Sequence, residues 1–299
     1  MDLRPLRPED LPALGAIAQR AFVYDPVDEA LVREKSIGAP DWDPELGIVA
    51  HDEEGAPVGF IAGCLGARGP ETRGWVRLLA VEPSRQRRGV GSALLQALEP
   101  RLAERGARSV GVFDGPLYLT PGIDFRNTAA YCFLEKRGYQ VKAVRKSLRC
   151  ALGPEPFEVE PGRRAFARNG VEVRRATAAD AGAIDRWLGR LFPGWRFEVA
   201  QCLRNDPPTY HGAWRGGAPI GFAAYHGMNK TWPHFGPMGV EPGQRRAGLG
   251  RLLLHLCLND LLGLGWDWAI IPWVGPIPFY HKACGAVIDR VFWSFEKGL

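Results

Sequence analysis

Several features of secreted and membrane proteins are missing from this sequence. Its six cysteines form no C-x-x-C pair, and the first residues, Met-Asp-Leu-Arg-Pro, contain no apolar signal region. Both observations are typical of a protein of the reduced cytoplasm, and we expect a cytoplasmic location. No uncharged apolar stretch is long enough to span a bilayer, so no membrane partner is expected.

Metal-binding and nucleic-acid-binding patterns are missing too. The six histidines are dispersed and show no ligand spacing, so no metal site is predicted. The net charge of +5 comes mostly from scattered arginines. Because no basic run exceeds a few residues, nucleic acid is not an expected partner.

Two common nucleotide-binding motifs are absent from the glycine-bearing loops described below. Neither loop has the Lys-Ser/Thr pair of a P-loop. The third glycine of a dinucleotide fingerprint is missing as well, because Leu94 occupies its position in the first loop. These absences disfavour the P-loop and dinucleotide-binding classes.

The composition is that of an ordinary globular protein. It is 46% hydrophobic and 24% charged, which is typical of soluble domains. The length of 299 residues suits two domains, each large enough to bury its own core.

One stretch, residues 79–98, has the pattern of an anion-binding junction. An apolar strand leads into a Pro-marked turn, a basic loop with Gly89 and Gly91, and then a helix. The two glycines allow a tight turn and a close approach of the backbone to a ligand. The first turn of the helix leaves N–H groups unpaired, which favours a phosphate at this point. Arg85, Arg87 and Arg88 add positive charge around it.

The same pattern recurs in residues 238–256. Gly248 and Gly250 follow Gly89 and Gly91 at an offset of 159 residues, and a Val-Glu-Pro triplet precedes both loops at that same offset. Such dense self-similarity indicates two copies of one domain. We predict an N-terminal domain over 1–150, a Pro-containing linker over 151–170 and a C-terminal domain over 171–299.

These loops carry a family resemblance. Gln86–Gly91 and Arg245–Gly250 resemble motif A of the GNAT superfamily of N-acetyltransferases. Residues 127–139 and 274–285 resemble two forms of the segment that contains the family's terminal helix. The resemblance implies an α/β fold of two tandem GNAT-like (acyl-CoA N-acyltransferase) domains. Each would have a mixed, mostly antiparallel sheet with a splayed parallel strand pair, flanked by helices.

The resemblance also implies acetyl-CoA as the cofactor, with its pantetheine arm beside the first splayed strand and its pyrophosphate at the glycine loop. The cofactor-binding residues implied for the N-terminal domain are Leu79, Ala80, Val81, Gln86, Arg87, Arg88, Gly89, Val90, Gly91, Ser92 and Asn127. Those implied for the C-terminal domain are Met238, Gly239, Val240, Arg245, Arg246, Ala247, Gly248, Leu249, Gly250 and Arg251.

Acetyl transfer to an amine needs a base for the amine proton and benefits from an acid for the leaving thiolate. In this family a Tyr on the terminal helix often serves as the acid. Leu134 occupies that position in the first half, whereas Tyr280 is the candidate in the second, with His281 as the alternative. A Tyr beside a Phe on a helix is also a common core residue.

Glu82 and Glu241 are the candidate bases, because each ends a predicted splayed strand. Both precede proline, which favours the alternative interpretation of each as a solvated carboxylate in a turn.

The leading hypothesis is an acetyl-CoA-dependent N-acetyltransferase that transfers an acetyl group to an amine of a small molecule or peptide by direct attack. The alternative is a non-catalytic CoA-binding sensor or scaffold, at least in the N-terminal domain. Tandem enzymes that acetylate a cysteinyl sugar conjugate share this layout, although no residue points to that acceptor. The sequence is compatible with a monomer or a homodimer.

Overall fold

A computed structural model describes residues 1–68, 71–245 and 247–299. The chain forms two compact units. Unit 1 consists of Met1–Lys146 together with Arg290–Leu299, and unit 2 consists of Ser147–Asp289. The fold thus contains two α/β bodies, one of which is built from both ends of the described chain.

The first half of the described chain contains both strands and helices. In chain order they are β1 (Asp2–Pro5), α1 (Leu11–Ala21), α2 (Glu29–Lys35), β2 (Gly47–His51), β3 (Pro57–Arg68), β4 (Glu71–Val81), α3 (Val90–Glu104), β5 (Ser109–Val112), β6 (Ile123–Asp124), α4 (Thr128–Glu135) and β7 (Gln140–Ala151).

The second half repeats most of this order, with one additional helix before its first strand. Its elements are α5 (Glu160–Arg168), β8 (Val171–Arg175), α6 (Ala181–Leu191), α7 (Arg196–Leu203), β9 (Tyr210–Arg215), β10 (Ala218–Tyr225), β11 (Phe235–Val240), α8 (Leu249–Gly263), β12 (Trp268–Ile271), α9 (Ile277–Cys284) and β13 (Val287–Gly298).

The sheet of unit 1 is antiparallel except at one strand pair. Its order is β1-β2-β3-β4-β5-β13, and β4 and β5 are parallel. These two strands pair only over Gly74–Val76 and Val110–Val112. A last bond from Phe113 N–H to the Val76 carbonyl, at 2.8 Å, ends the contact. Because β4 continues to Val81, the strands splay apart beyond this point.

Helix α3 covers one face of this sheet. Its buried residues recur every three or four positions and therefore lie on one side of the helix. They pack into a core with apolar residues of β2 to β5. The buried residues of α3 are Val90, Leu94, Leu95, Leu98 and Leu102.

Each unit is completed by a strand from the other half of the sequence. In unit 1, Phe295–Gly298 of β13 pair antiparallel with Val112–Ser109 of β5, and Phe295 is buried in the core. In unit 2, Leu148–Ala151 of β7 pair with β12. The predicted domain bounds follow the repeat in the sequence, whereas the compact units follow spatial contacts and assign residues 290–299 to unit 1.

Unit 2 also contains a splayed parallel pair. Strands β8 to β11 form an antiparallel sheet in the order β11-β10-β9-β8. Between β11 and β12 there is a parallel bridge of His234 with Ile270, and Ile270 N–H donates to the Pro233 carbonyl at 2.8 Å. Pro272 stands where Phe113 stands in unit 1 and has no N–H to extend the pairing. The strands of unit 2 therefore separate at Phe235.

Candidate active sites

The described residues of the two glycine loops have matching backbone conformations. A short 3-10 turn follows each splayed strand, Pro83–Arg85 in unit 1 and Pro242–Gln244 in unit 2. Gly89 then caps α3 with φ 88° and ψ −12°, and Gly248 caps α8 with φ 86° and ψ 0°. Because a Cβ is penalised in this left-handed region, glycine is favoured at both positions. The repeat in sequence is therefore also a repeat of local structure.

The first amides of α3 and α8 are positioned to bind an anion. Ala93 N–H donates to the Gly89 carbonyl at 3.0 Å and Leu252 N–H to the Gly248 carbonyl at 3.1 Å, which begins the hydrogen-bond ladder of each helix. The amides that precede this ladder have no earlier helical turn to bond. The helix dipole adds partial positive charge there, so a phosphate can be held largely by main chain.

The first residue of each predicted loop ties it back to the strand. Gln86 Nε2 donates to the Val81 carbonyl at 3.1 Å, and Arg245 Nε donates to the Val240 carbonyl at the same distance. An amide and a guanidinium thus make equivalent bonds. This geometry gives Gln86 and Arg245 a role in shaping the loop, which the sequence pattern did not indicate.

The positive charge differs between the loops. In unit 1, Arg87 and Arg88 are exposed, while the Arg85 guanidinium pairs with Asp52 at 3.0 Å. In unit 2, Ala247 occupies the position of Arg88. Arg246, which was predicted as a contact, lies outside the described residues. Among described residues, the first loop carries the greater concentration of unpaired arginine charge.

Main-chain groups of the splayed strands face the gaps. Glu82 N–H donates to the Val58 carbonyl at 2.9 Å, and Glu241 N–H donates to the Ile220 carbonyl at 3.0 Å, so both point toward the neighbouring antiparallel strand. Peptide groups of a strand alternate in direction. The N–H and C=O groups of Val81 and Val240 therefore face the open side of the strand. The groups of Leu79 and Met238 face the same way, whereas those of the intervening Ala80 and Gly239 face the paired strand.

An aromatic residue of the terminal helix lies against the second glycine of each loop. A Cβ on Gly91 would lie 3.3 Å from the Phe133 ring, and one on Gly250 would lie 3.5 Å from the Phe279 ring. Phe133 and Phe279 are thus structural equivalents. The residue after each is buried, Leu134 in unit 1 and Tyr280 in unit 2. Tyr280 therefore occupies the position of Leu134, although its spacing to the following αL glycine is one residue longer.

Tyr280 lies where the strands of unit 2 separate. Its ring is in edge contact with Phe235, at a centroid distance of 6.2 Å, and Phe235 is the first residue beyond the β11–β12 bridge. The side chain is 7% exposed, and burial raises the pKa of its phenol well above the ordinary value. The hydroxyl therefore remains protonated at neutral pH and can act as a donor.

Comparison with known proteins agrees with this geometry. The family model described as "Acetyltransferase (GNAT) family" matches residues 12–139 and 182–286. The chain belongs to this family. The prediction of two GNAT-like α/β domains, each with a mixed sheet and a splayed strand pair, is confirmed.

A curated relative and two solved structures are similar to this GNAT chain. A mycothiol acetyltransferase of Propionibacterium freudenreichii subsp. shermanii is 36% identical over 110 residues, a match that spans 36% of this chain and 35% of the relative. A GCN5-related glucosamine N-acetyltransferase region of a fungal multi-domain GH3 beta-N-acetylglucosaminidase has a TM-score of 0.81 at 20% identity, over 99% of this chain and 38% of that one. A tandem GNAT protein from the clavulanic acid biosynthesis pathway has a TM-score of 0.66 at 17% identity, over 99% and 98%. The two structures support the fold.

The carboxylates that follow the splayed strands of the two GNAT units differ in their surroundings. In unit 1, the Arg20 guanidinium holds Glu82 in a fork, with its Nη2 2.6 Å from Oε2 and its Nε 3.1 Å from the same oxygen. In unit 2, Glu241 is half-buried, and no ion pair to it is found among the described residues. Glu241 is therefore the more available proton acceptor of the two.

His281 lies at the end of α9, away from the buried side of that helix. Its ring is exposed, and Nδ1 is 3.1 Å from the Ala286 carbonyl. This contact joins the last turn of α9 to the residues that follow it. The arrangement favours a local structural role for His281 and leaves Tyr280 as the better-placed donor.

Two further residues predicted at the first cofactor site already have protein partners. Asn127 caps α4, because its Oδ1 accepts from Ala130 N–H at 3.1 Å. The Ser92 hydroxyl accepts a hydrogen bond from the Arg137 guanidinium, which also stacks on Phe133 at 3.7 Å. Arg137 therefore joins α4 to the start of α3. Arg137 lies in the segment that was predicted to contain the terminal helix, but no sequence pattern indicated its contact with Ser92.

The described residues contain no group of three or more His, Cys, Asp or Glu placed to hold a metal ion. Within the same residues, no helix combines the length and apolar character needed to cross a bilayer.

Proposed function

We propose that this chain is an acetyl-CoA-dependent N-acetyltransferase that transfers an acetyl group to an amine of a small molecule or peptide by direct attack. The observation that carries the proposal is the matched pair of glycine-capped helix starts, at Gly89 and Gly248, each beside a splayed parallel strand pair. Membership of the GNAT family supports it.

The residues present fit a cofactor with a phosphate group and an amide-containing arm. The free amides at the start of α3, with exposed Arg87 and Arg88, form a cationic cradle for the pyrophosphate. The open main-chain groups of Leu79, and the N–H of Val81, whose carbonyl accepts from Gln86, can bond the amides of the arm. Unit 2 offers the same main-chain groups at Met238 and Val240. When bound, acetyl-CoA supplies the activated acetyl thioester.

Unit 2 carries the more complete set of catalytic groups. Glu241 accepts the proton of the attacking amine, directly or through water, and the protonated Tyr280 hydroxyl donates to the leaving thiolate. Each such proton transfer typically contributes about 10²- to 10⁴-fold in rate. Positioning of the two substrates supplies much of the remainder, since no covalent enzyme intermediate is needed.

A second function, CoA binding without turnover, is proposed for unit 1. Two observations favour it. Leu134 occupies the position of Tyr280 and has no proton to donate, and Arg20 neutralises Glu82 in a forked ion pair. Unit 1 would then act as a sensor or scaffold whose cofactor loop remains intact.

The acceptor is proposed only as a class. The curated relative is named a mycothiol acetyltransferase, and the match covers about a third of its length. A screen should therefore include cysteinyl conjugates of sugars, amino sugars, simple amines and peptides with a free N-terminus. Turnover of one group and not the others would assign the acceptor.

The direct test is calorimetric titration of acetyl-CoA into the full chain and into Gly89→Ala and Gly248→Ala variants. Each substitution places a Cβ at positive φ with no atom within 4 Å, so it alters the loop without a steric clash. Gly55→Ala is the matched control, because Gly55 has φ +82°, equally open space and a position in a hairpin loop.

We expect one or two acetyl-CoA sites in the wild type and loss of one site with the corresponding loop variant. Gly55→Ala should bind like the wild type. An absence of binding by the wild type at millimolar acetyl-CoA would refute both proposed functions. Binding without acetylation of any acceptor class would support the sensor alone.

A further inference from the structure

Two cysteines from distant parts of the sequence meet in unit 2. Cys150 lies in β7 and Cys284 is the last residue of α9. Cys150 Sγ is 3.2 Å from the Cys284 carbonyl, and Cys284 Sγ donates to the Tyr280 carbonyl, also at 3.2 Å. Both thiols therefore lie at the last turn of the helix that carries Tyr280.

The two thiols also differ in pKa and in burial. The interaction with Cys284 raises the pKa of the Cys150 thiol, and the interaction with Cys150 lowers that of Cys284. Cys150 is fully buried, whereas Cys284 is partly exposed. Since the thiolate is the reactive form of cysteine, the accessible partner is also the more nucleophilic one. Accessible cysteines of lowered pKa that respond to oxidants often lie next to a second cysteine, which resolves the oxidised one.

The other four cysteines have different surroundings. Cys64, Cys202 and Cys257 are buried, and burial raises the pKa of each thiol, to about 11 for Cys64. Cys132 is exposed. Oxidation of Cys132 would therefore be explained by its exposure to solvent alone, whereas oxidation of Cys284 would be explained by its position beside Cys150.

We propose that Cys150 and Cys284 form a reversible dithiol–disulfide site, with hydrogen peroxide as the oxidant. The Cys284 thiolate attacks one peroxide oxygen, the O–O bond breaks, and a sulfenic acid and hydroxide form. The Cys150 thiol then attacks the Cys284 sulfur, the S–O bond breaks, and the hydroxyl group leaves as water with the Cys150 proton. In total the two thiols lose two electrons and two protons, and the peroxide becomes two waters.

This oxidation acts on the turn that bears the proposed acid. The Cys284 S–H that donates to the Tyr280 carbonyl is lost, and a covalent bond joins the end of α9 to β7. The site goes beyond the proposed acetyltransferase function and does not depend on it, because the chemistry requires only the two thiols.

The test is to count and map thiols in the full-length protein before and after peroxide treatment. After quenching, unfolded protein is alkylated with iodoacetamide and its mass is measured. All six cysteines should be alkylated without peroxide. With peroxide, two fewer should be alkylated, digestion should yield a peptide that joins Cys150 to Cys284, and dithiothreitol should restore the full count.

Variants separate the pair from general oxidation. Cys132→Ser should still lose two alkylation sites, whereas Cys150→Ser and Cys284→Ser should form no linked peptide. Alkylation of all six wild-type cysteines, at a peroxide dose that fully oxidises free glutathione, would overturn the proposal. So would a disulfide that maps to a different pair. The wild-type count decides the question even if a variant fails to fold.

Discussion

Replacing Phe295 by Ala tests the assignment of the last strand to the first unit. Phe295 is 1% exposed, lies opposite Val112 in the sheet and contacts the Tyr131 ring at a centroid distance of 5.2 Å. Truncating a buried Phe typically costs about 3–5 kcal/mol. Since the side chain belongs to the core of unit 1, the loss of stability should affect Met1–Lys146, which is far from Phe295 in sequence.

Native-state hydrogen exchange measures the effect locally. At about 1.4 kcal/mol for each tenfold change, the exchange of globally protected amides in β4 and α3 should accelerate by roughly two to three and a half orders of magnitude. Amides in β10 and α8 belong to unit 2 and should change far less. The matched control is Phe235→Ala, because Phe235 is equally buried in the core of unit 2 and should give the opposite distribution.

One outcome would refute the assignment. If Phe295→Ala accelerated exchange in β10 and α8 while leaving β4 and α3 unchanged, the final strand would belong with the second half, as the sequence repeat alone implies.

Three further predictions concern single side chains. Tyr280→Phe should lower turnover by about 10²-fold or more while leaving acetyl-CoA affinity unchanged, because only the proton donor is lost. Asn127→Ala should reduce the free energy of unfolding of unit 1 by about 1 kcal/mol in denaturant titration, because the cap of α4 is lost. Burial acts to raise the pKa of Asp260, but the hydrogen bonds and charges of His211 and Arg175 together outweigh this, and the pKa lies below the usual value. Asp260 thus stabilises the fold above its unfolded pKa, and wild type should lose stability more steeply below about pH 4 than Asp260→Asn.

Each of these has a contradicting result. Unchanged turnover in Tyr280→Phe would remove Tyr280 as the acid. A substitution of Asn127 by Asp should preserve the cap, so equal destabilisation by Asp and Ala would show that capping is not the cause. Parallel acid-unfolding curves for the wild type and Asp260→Asn would show that this carboxylate does not control acid stability.

Local features could be predicted from the sequence because neighbouring residues determine them. The positive φ at Gly89 and Gly248 follows from the residue type and its place before an amphipathic helix. The same holds for the strand before each loop and for the apolar face of α3. The repeat doubled the evidence, since an unrelated turn has no reason to recur with the same Val-Glu-Pro at a fixed offset.

Partner choice could not be predicted in the same way. The pattern of β13 indicates a strand, but alternation along a strand does not specify which strand it pairs with. The fork between Arg20 and Glu82 joins residues 62 positions apart, and no spacing rule relates them. The hydrogen bonds from Gln86 and Arg245 to strand carbonyls depend on the path of the loop backbone. The sequence pattern therefore predicted these residues only as cofactor contacts.

The late position of residues 290–299 has a consequence for the order of folding during protein synthesis. Unit 2 is a continuous segment, so all of it has been translated before the strand that completes unit 1 leaves the ribosome. Until then β5 lacks its β13 partner, and an unpaired strand edge can pair with another chain. Synthesis of unit 1 therefore begins before that of unit 2 but is completed only after it. The nascent chain has an unpaired β5 edge while all of unit 2 is being made.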